Sequence, residues 1–291
     1  MMVRVNDPDV HGLRLERRWG PSQEAKRGVE SMKVSLRVGM RDGDPVNPLD
    51  GVFCDVKEMG YDGIELMLNT QYGVGGRRGI WASESITPEM REAFRRSSQE
   101  RGVQIATVSS DWAWGYAQFN PRLSMWERGT EILKSDVNLA ADLGAKAILI
   151  HVGTSQGSWE EIRSIVQKVV AVGEKRQVKV AFEAGIFARI GLGGLDALIK
   201  LVDELDNPWF KVYEHCYWPR GESQPHEEIR QVGGRMACLH SGNLSVQVDY
   251  QKMIQALKDV GYDYFWVFEV AWERAKESVD GYKYLWGKHG G

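Results

Sequence analysis

The chain has 291 residues, 43% hydrophobic and 26% charged, with a formal charge of −3 and an isoelectric point near 6.1. This is a globular composition able to bury a sizeable core, without the basic stripe of a nucleic-acid binder or an apolar run of the ~18 residues that a membrane span needs. Three cysteines without metal-type spacing, and no apolar leader segment, lead to the expectation of reduced thiols in a cytoplasmic protein.

Residues 1–31 mix both signs of charge with few aliphatics and no sustained period, and read as a flexible N-terminal extension to one domain over 32–291. From Lys33 onward one unit recurs: a short apolar run, a loop, a helical pattern, a glycine, and the next run. The runs begin "KVSLRVG" at 33, "DGIELML" at 62, "VQIATVSS" at 103 and "KAILIHVG" at 146. They continue with "VKVAFEAG" at 178, "FKVYEHCY" at 210, "RMACLHSG" at 235 and "YFWVFEVAW" at 264. Asn47-Pro48, Thr87-Pro88 and Asn120-Pro121 each put a capping side chain before a helix-opening proline, and Ser158 with Glu161 forms a capping box. Gly60, Gly102, Gly144 and Gly261 mark helix ends, where a left-handed residue is cheap. Eight strand–helix units predict an α/β fold, a single-domain (β/α)8 barrel. An open doubly wound sheet would want a glycine-rich phosphate loop after its first strand, and "RVGMRDGDP" matches that poorly.

Active sites of such barrels lie at the C-terminal strand ends. The last four runs end Ala181-Phe182-Glu183, Val212-Tyr213-Glu214, Cys238-Leu239-His240 and Val267-Phe268-Glu269. Each is read as small, large, ligand. With side chains alternating between faces, Glu183, Glu214, His240 and Glu269 are expected to converge on the barrel axis. His215 falls one residue out of phase, facing sideways or into the following loop. Three carboxylates packed together would repel and suffer desolvation, and a divalent cation relieves both. Three oxygen donors and one nitrogen favour Mn²⁺, with Mg²⁺, Co²⁺ or Zn²⁺ also compatible. Glu65, His151, Trp112, His215 and Arg220 are candidates for substrate contact near the mouth.

These strand ends, together with "GYDGIEL" and "AKAILIHVG", resemble the xylose isomerase-like TIM-barrel superfamily over about residues 33–286. That superfamily includes sugar and sugar-phosphate isomerases and epimerases, inosose dehydratase, C-glycoside-cleaving subunits and the endonuclease IV branch. In its ketose 3-epimerase branch, Glu, Asp, His and Glu on strands five to eight bind Mn²⁺ or a similar ion. The resemblance puts those positions on Glu183, Glu214, His240 and Glu269. The chain departs from the pattern in having Glu214 for Asp, Tyr217 where a substrate-binding His is usual, and Ser241-Gly242 after the strand-seven His. It also lacks the extra histidines of a three-metal nuclease, which argues against DNA repair and a nucleic-acid partner.

The resemblance therefore implies a metal-dependent isomerase or epimerase of a small carbohydrate. Glu183 and Glu269 would exchange a proton at carbon while the ion stabilises an enediolate. The alternative is a lyase of the same superfamily, dehydrating a keto-inositol or cleaving a 3-keto-glycoside. A barrel that binds sugar without turnover is a third reading. Homo-oligomers are common among such enzymes.

Overall fold

The computed structural model describes residues 32–39, 46–68, 83–110, 126–150, 158–189, 191–216 and 223–290. The sequence-predicted extension over 1–31 lies outside them, as do Asn120-Pro121, Trp112, His151 and Arg220.

Eight parallel strands close into a barrel, each hydrogen-bonded to its sequence neighbours and β1 to β8. The strands are β1 (Val34–Val38), β2 (Gly63–Leu68), β3 (Gln104–Ser110), β4 (Ala147–Ile150), β5 (Lys179–Glu183), β6 (Phe210–His215), β7 (Met236–Ser241) and β8 (Trp266–Phe268). Between and after them run α1 (Asp50–Met59), α2 (Pro88–Arg101), α3 (Trp126–Asp142), α4 (Trp159–Arg176), α5 (Ala184–Arg189), α6 (Leu195–Leu205), α7 (Pro225–Val232), α8 (Tyr250–Asp259) and α9 (Trp272–His289). No helix among the described residues is long and apolar enough to cross a membrane.

Local chemistry explains most boundaries. Thr87 caps α2 by accepting from the Met90 amide, and Ser158 and Glu161 form the reciprocal capping box of α4. Gly60 and Gly102 end α1 and α2 in the left-handed conformation, which costs glycine nothing. Asn47 does not cap α1 as the Asn-Pro pair suggests. The helix starts at Asp50, and Asn47 instead donates its amide to Ser97 Oγ at 2.7 Å, tying the α1 approach to α2. The "GYDGIEL" motif is a structural joint. Tyr61 donates to the Ala275 carbonyl at 2.8 Å, and Asp62 accepts from the Val34 amide at 2.9 Å. Gly63 has no room for a side chain: a Cβ there would lie 2.8 Å from both the Gln104 carbonyl and the Phe265 ring.

The core has two layers, as alternation along each strand requires. Outward-facing Val34, Leu36, Val180, Phe182, Val212, Leu239 and Phe268 pack against the helices. Inward-facing Ala147, Leu149, Ala181, Tyr213, Cys238 and Val267 fill the barrel. The parity of each strand in this scheme decides which residues of the site can meet.

Candidate metal centre

Four of the strand-end positions behave as alternation predicts. Ala181, Cys238 and Val267 point inward, so Glu183, His240 and Glu269, two residues further on, point inward too. Glu65 on β2 does the same.

On β6 the parity is the reverse of the sequence expectation. Tyr213 belongs to the barrel interior and Val212 to the helix-facing layer. His215 therefore faces the axis, while Glu214, fully buried, lies on the side of the helices. Pairing sets this phase. Tyr213 aligns with Glu183 of β5, and a register shift at Val212/Tyr213 brings His215 level with His240 of β7. The expected convergence of Glu214 on the axis is thus corrected, and His215 takes its place. The "small, large, ligand" reading fails here because the large inward residue is Tyr213.

The result is a compact group at the mouth. Glu183, His215 and His240 each offer one ligand atom within 4.8 Å of the others, an arrangement able to hold a metal ion. His215 Nδ1 pairs with Glu183 Oε1, and its Nε2 lies 3.9 Å from Glu269 Oε2. His240 Nδ1 lies 3.7 Å from the same oxygen. Glu269 is the most open member, with its side chain 36% exposed, against 9% for Glu183 and 1% for His240.

Beneath this group is a buried polar floor. Glu65, fully buried, accepts from Thr107 Oγ1 at 2.7 Å, from the Tyr213 hydroxyl, and from His240 Nε2 at 2.7 Å. Arg37 Nε lies 3.4 Å from Glu65 Oε1, Arg37 Nη1 pairs with Glu269 Oε1, and Arg37 Nη2 donates to Ser109 Oγ at 3.2 Å. Burial by itself would raise the Glu65 carboxyl. His240, Arg37 and Tyr213 outweigh it and hold the group down to about 2. An ionised carboxylate only accepts, so His240 donates to it through Nε2, which leaves Nδ1 as the nitrogen a metal ion could meet. That Nδ1 is buried with no hydrogen bond among the described residues. A carboxylate fixing one imidazole nitrogen so that the other can ligate is how proteins orient metal-binding histidines. The donor set therefore fits a divalent ion, with two imidazoles where the sequence suggested one.

Burial also raises the Tyr213 hydroxyl well above its ordinary range, with Cys238 and Glu65 adding to it, so it stays a donor. Burial raises the Glu269 carboxyl, opposed by Arg37 and His215. Sequence reasoning missed Arg37, Thr107, Ser109 and Tyr213. The signal for Arg37 was simple alternation: Ser35 and Arg37 are the polar phase of β1 between Val34, Leu36 and Val38.

A family model described as xylose isomerase-like TIM barrel matches residues 53–285, most of the chain. The chain belongs to that family. Among solved structures of similar shape, a D-psicose 3-epimerase superposes with a TM-score of 0.69 at 11% identity, over 89% of this chain and 99% of its own. The 3-keto-D-glucoside 4-epimerase of E. coli gives 0.66 at 14% identity, over 87% and 100%. At these identities the likeness is one of fold. By sequence, the chain is 23% identical to a probable endonuclease 4 of Thermotoga neapolitana over 144 residues, 47% of this chain. It spans half or less of the length of the curated relatives it matches.

Proposed function

We propose that this xylose isomerase-like barrel is a divalent-metal-dependent isomerase or epimerase of a small sugar or sugar derivative. The observation that carries the reading is the meeting of Glu183, His215 and His240 at the mouth, beside Glu269. Structural likeness to sugar epimerases supports it. In this reading Glu183, His215 and His240 hold the ion with Glu269 at their side, and His215 replaces Glu214 in the ligand set. Two imidazoles move the set toward borderline ions such as Co²⁺ or Zn²⁺ and away from Mg²⁺, while the carboxylates keep Mn²⁺ compatible.

A bound ion supplies Lewis-acid polarisation of a substrate carbonyl. The protein's own groups move the proton. One of Glu183 and Glu269 takes the hydrogen from the carbon beside the carbonyl, and the C–H electron pair shifts toward the carbonyl oxygen. The other carboxyl then delivers a proton to the opposite face of that carbon, giving an epimer; alternatively the neighbouring carbon is protonated while a hydroxyl proton passes to the former carbonyl oxygen, giving an isomer. Glu269 suits this work because it is the most open carboxylate and burial lifts its affinity for a proton. Glu65 is too deeply buried to touch substrate, and its role is to orient His240. His151, Trp112 and Arg220, which lie outside the described residues, stay as proposed substrate contacts.

The test pairs metal analysis with deuterium exchange. Mass spectrometry should find about one divalent ion per chain, lost in His215→Ala and His240→Ala. Incubation in D₂O with a panel of ketoses and aldoses should wash deuterium into one carbon-bound position. A chain that stays metal-free after reconstitution, or a panel without exchange, sinks the proposal. The lyase reading shares the proton abstraction, and the neighbour acting on a 3-keto-D-glucoside keeps keto-glycosides in the panel. An elimination product in place of an isomer would decide for it.

A further inference from the structure

Arg37 is a fixed cation inside the barrel, its side chain 11% exposed. It pairs with Glu269 Oε1, donates to Ser109 Oγ at 3.2 Å and lies 3.4 Å from Glu65 Oε1. A guanidinium is a planar fork that keeps its charge, so Glu65 and Ser109 anchor it while it grips Glu269. Glu269 therefore turns Oε1 to Arg37 and only Oε2 toward His215 and His240, at 3.9 Å and 3.7 Å. With the imidazoles neutral, as ligands must be, Glu65, Glu183 and Glu269 against Arg37 leave an excess of two negative charges. That excess matches one divalent ion.

We propose that Arg37 is a positioning residue that limits how tightly the centre holds its metal. It occupies one oxygen of Glu269 and cancels one carboxylate charge, so that the carboxylate faces the imidazoles through a single oxygen and the ion stays exchangeable. The proposal rests on the metal-binding reading above.

The test is titration of Mn²⁺ into the metal-free full-length protein, with free ion followed by its paramagnetic resonance signal. Arg37→Gln removes charge and competitor together, and should tighten binding by about tenfold or more, since removing a nearby like charge from a cation site is worth at least ~1.4 kcal/mol at an effective dielectric of ~20. Arg37→Lys keeps the charge and should stay within about threefold of wild type. Equal or weaker binding by Arg37→Gln overturns the proposal, as does Arg37→Lys tightening as much as Arg37→Gln. Should Arg37→Gln fail to fold, the same comparison is made between Glu65→Gln and Glu65→Gln/Arg37→Gln, in which the buried pair is removed together. Wild type that takes up no Mn²⁺ overturns the metal reading and this proposal together. Mn²⁺ bound more weakly without Arg37 overturns this proposal alone.

Discussion

Glu65→Gln is the sharpest probe of the floor beneath the centre. Glutamine keeps the shape of glutamate. Its carbonyl can stay at the Oε1 place, facing His240 and Arg37, while its amide donates to the Thr107 or Tyr213 hydroxyl, which can turn to accept. Geometry is thus preserved and the charge is lost. Two routes give the cost. Breaking a buried charge pair by neutralising one partner costs about 3–5 kcal/mol. Independently, a carboxyl held at about 2 against an ordinary 4.5 stabilises the folded state by about 3 kcal/mol, at about 1.4 kcal/mol per pH unit. Because the folded value is the lower one, this contribution is complete above pH 4.5 and disappears as pH falls toward 2. Urea unfolding of chelator-treated wild type and Glu65→Gln should therefore differ by about 3 kcal/mol from pH 7 to 5, and by only about 1 kcal/mol at pH 3. A deficit below about 1 kcal/mol at pH 7, or one that does not shrink in acid, would refute the reasoning.

Tyr213→Phe keeps the ring in the barrel and removes one donor to Glu65, whose Oε2 retains Thr107; chemical denaturation should show a loss of about 1.5–3 kcal/mol. Glu214→Gln should leave metal content near wild type because Glu214 faces the helices, whereas His215→Ala should abolish it; the reverse order in elemental analysis would restore Glu214 to the ligand set. Gly63→Ala should destabilise by about 1–3 kcal/mol, since its Cβ would meet backbone at 2.8 Å; a melting temperature equal to wild type would show that the joint can yield. Asp142 on α3 pairs with Arg91 of α2 and with Arg176 of α4 at 2.6 Å. Burial tends to raise its carboxyl, and the two arginines more than offset that. Asp142→Asn should therefore cost about 1 kcal/mol or less at neutral pH, with the difference fading below the ordinary carboxylate range and in high salt.

The barrel was legible because its signals are local. A run of alternating apolar residues, a cap and a left-handed glycine each act over a few neighbours, so eight repeats of that grammar specify eight strand–helix units without long-range knowledge. Among the expected caps that lie in the described residues, Asn47 is the exception, and its amide instead bonds a tertiary partner, Ser97 on another helix. Most of the site was legible for the same reason: Glu183, His240, Glu269 and Glu65 follow from strand parity alone.

The phase of β6 was half-visible. "KVAFE" of β5 and "KVYEH" of β6 share their Lys-Val start, and aligned that way they set His215 against Glu183. Matching strand ends by residue size instead picked Glu214. What decided between them is the ladder, which fixes Tyr213 beside Glu183 and, through a register shift, His215 beside His240. A one-residue slip moves every side chain to the other face. The sequence by itself determined which elements form and which residue types crowd the mouth. Only the tertiary structure decided that His215, in place of Glu214, meets Glu183 and His240 at the mouth, and that an arginine from β1 reaches carboxylates on β2 and just beyond β8, because those contacts join residues 28 and 232 positions apart, the first through the pairing of β1 with β2 and the second through closure of β8 onto β1.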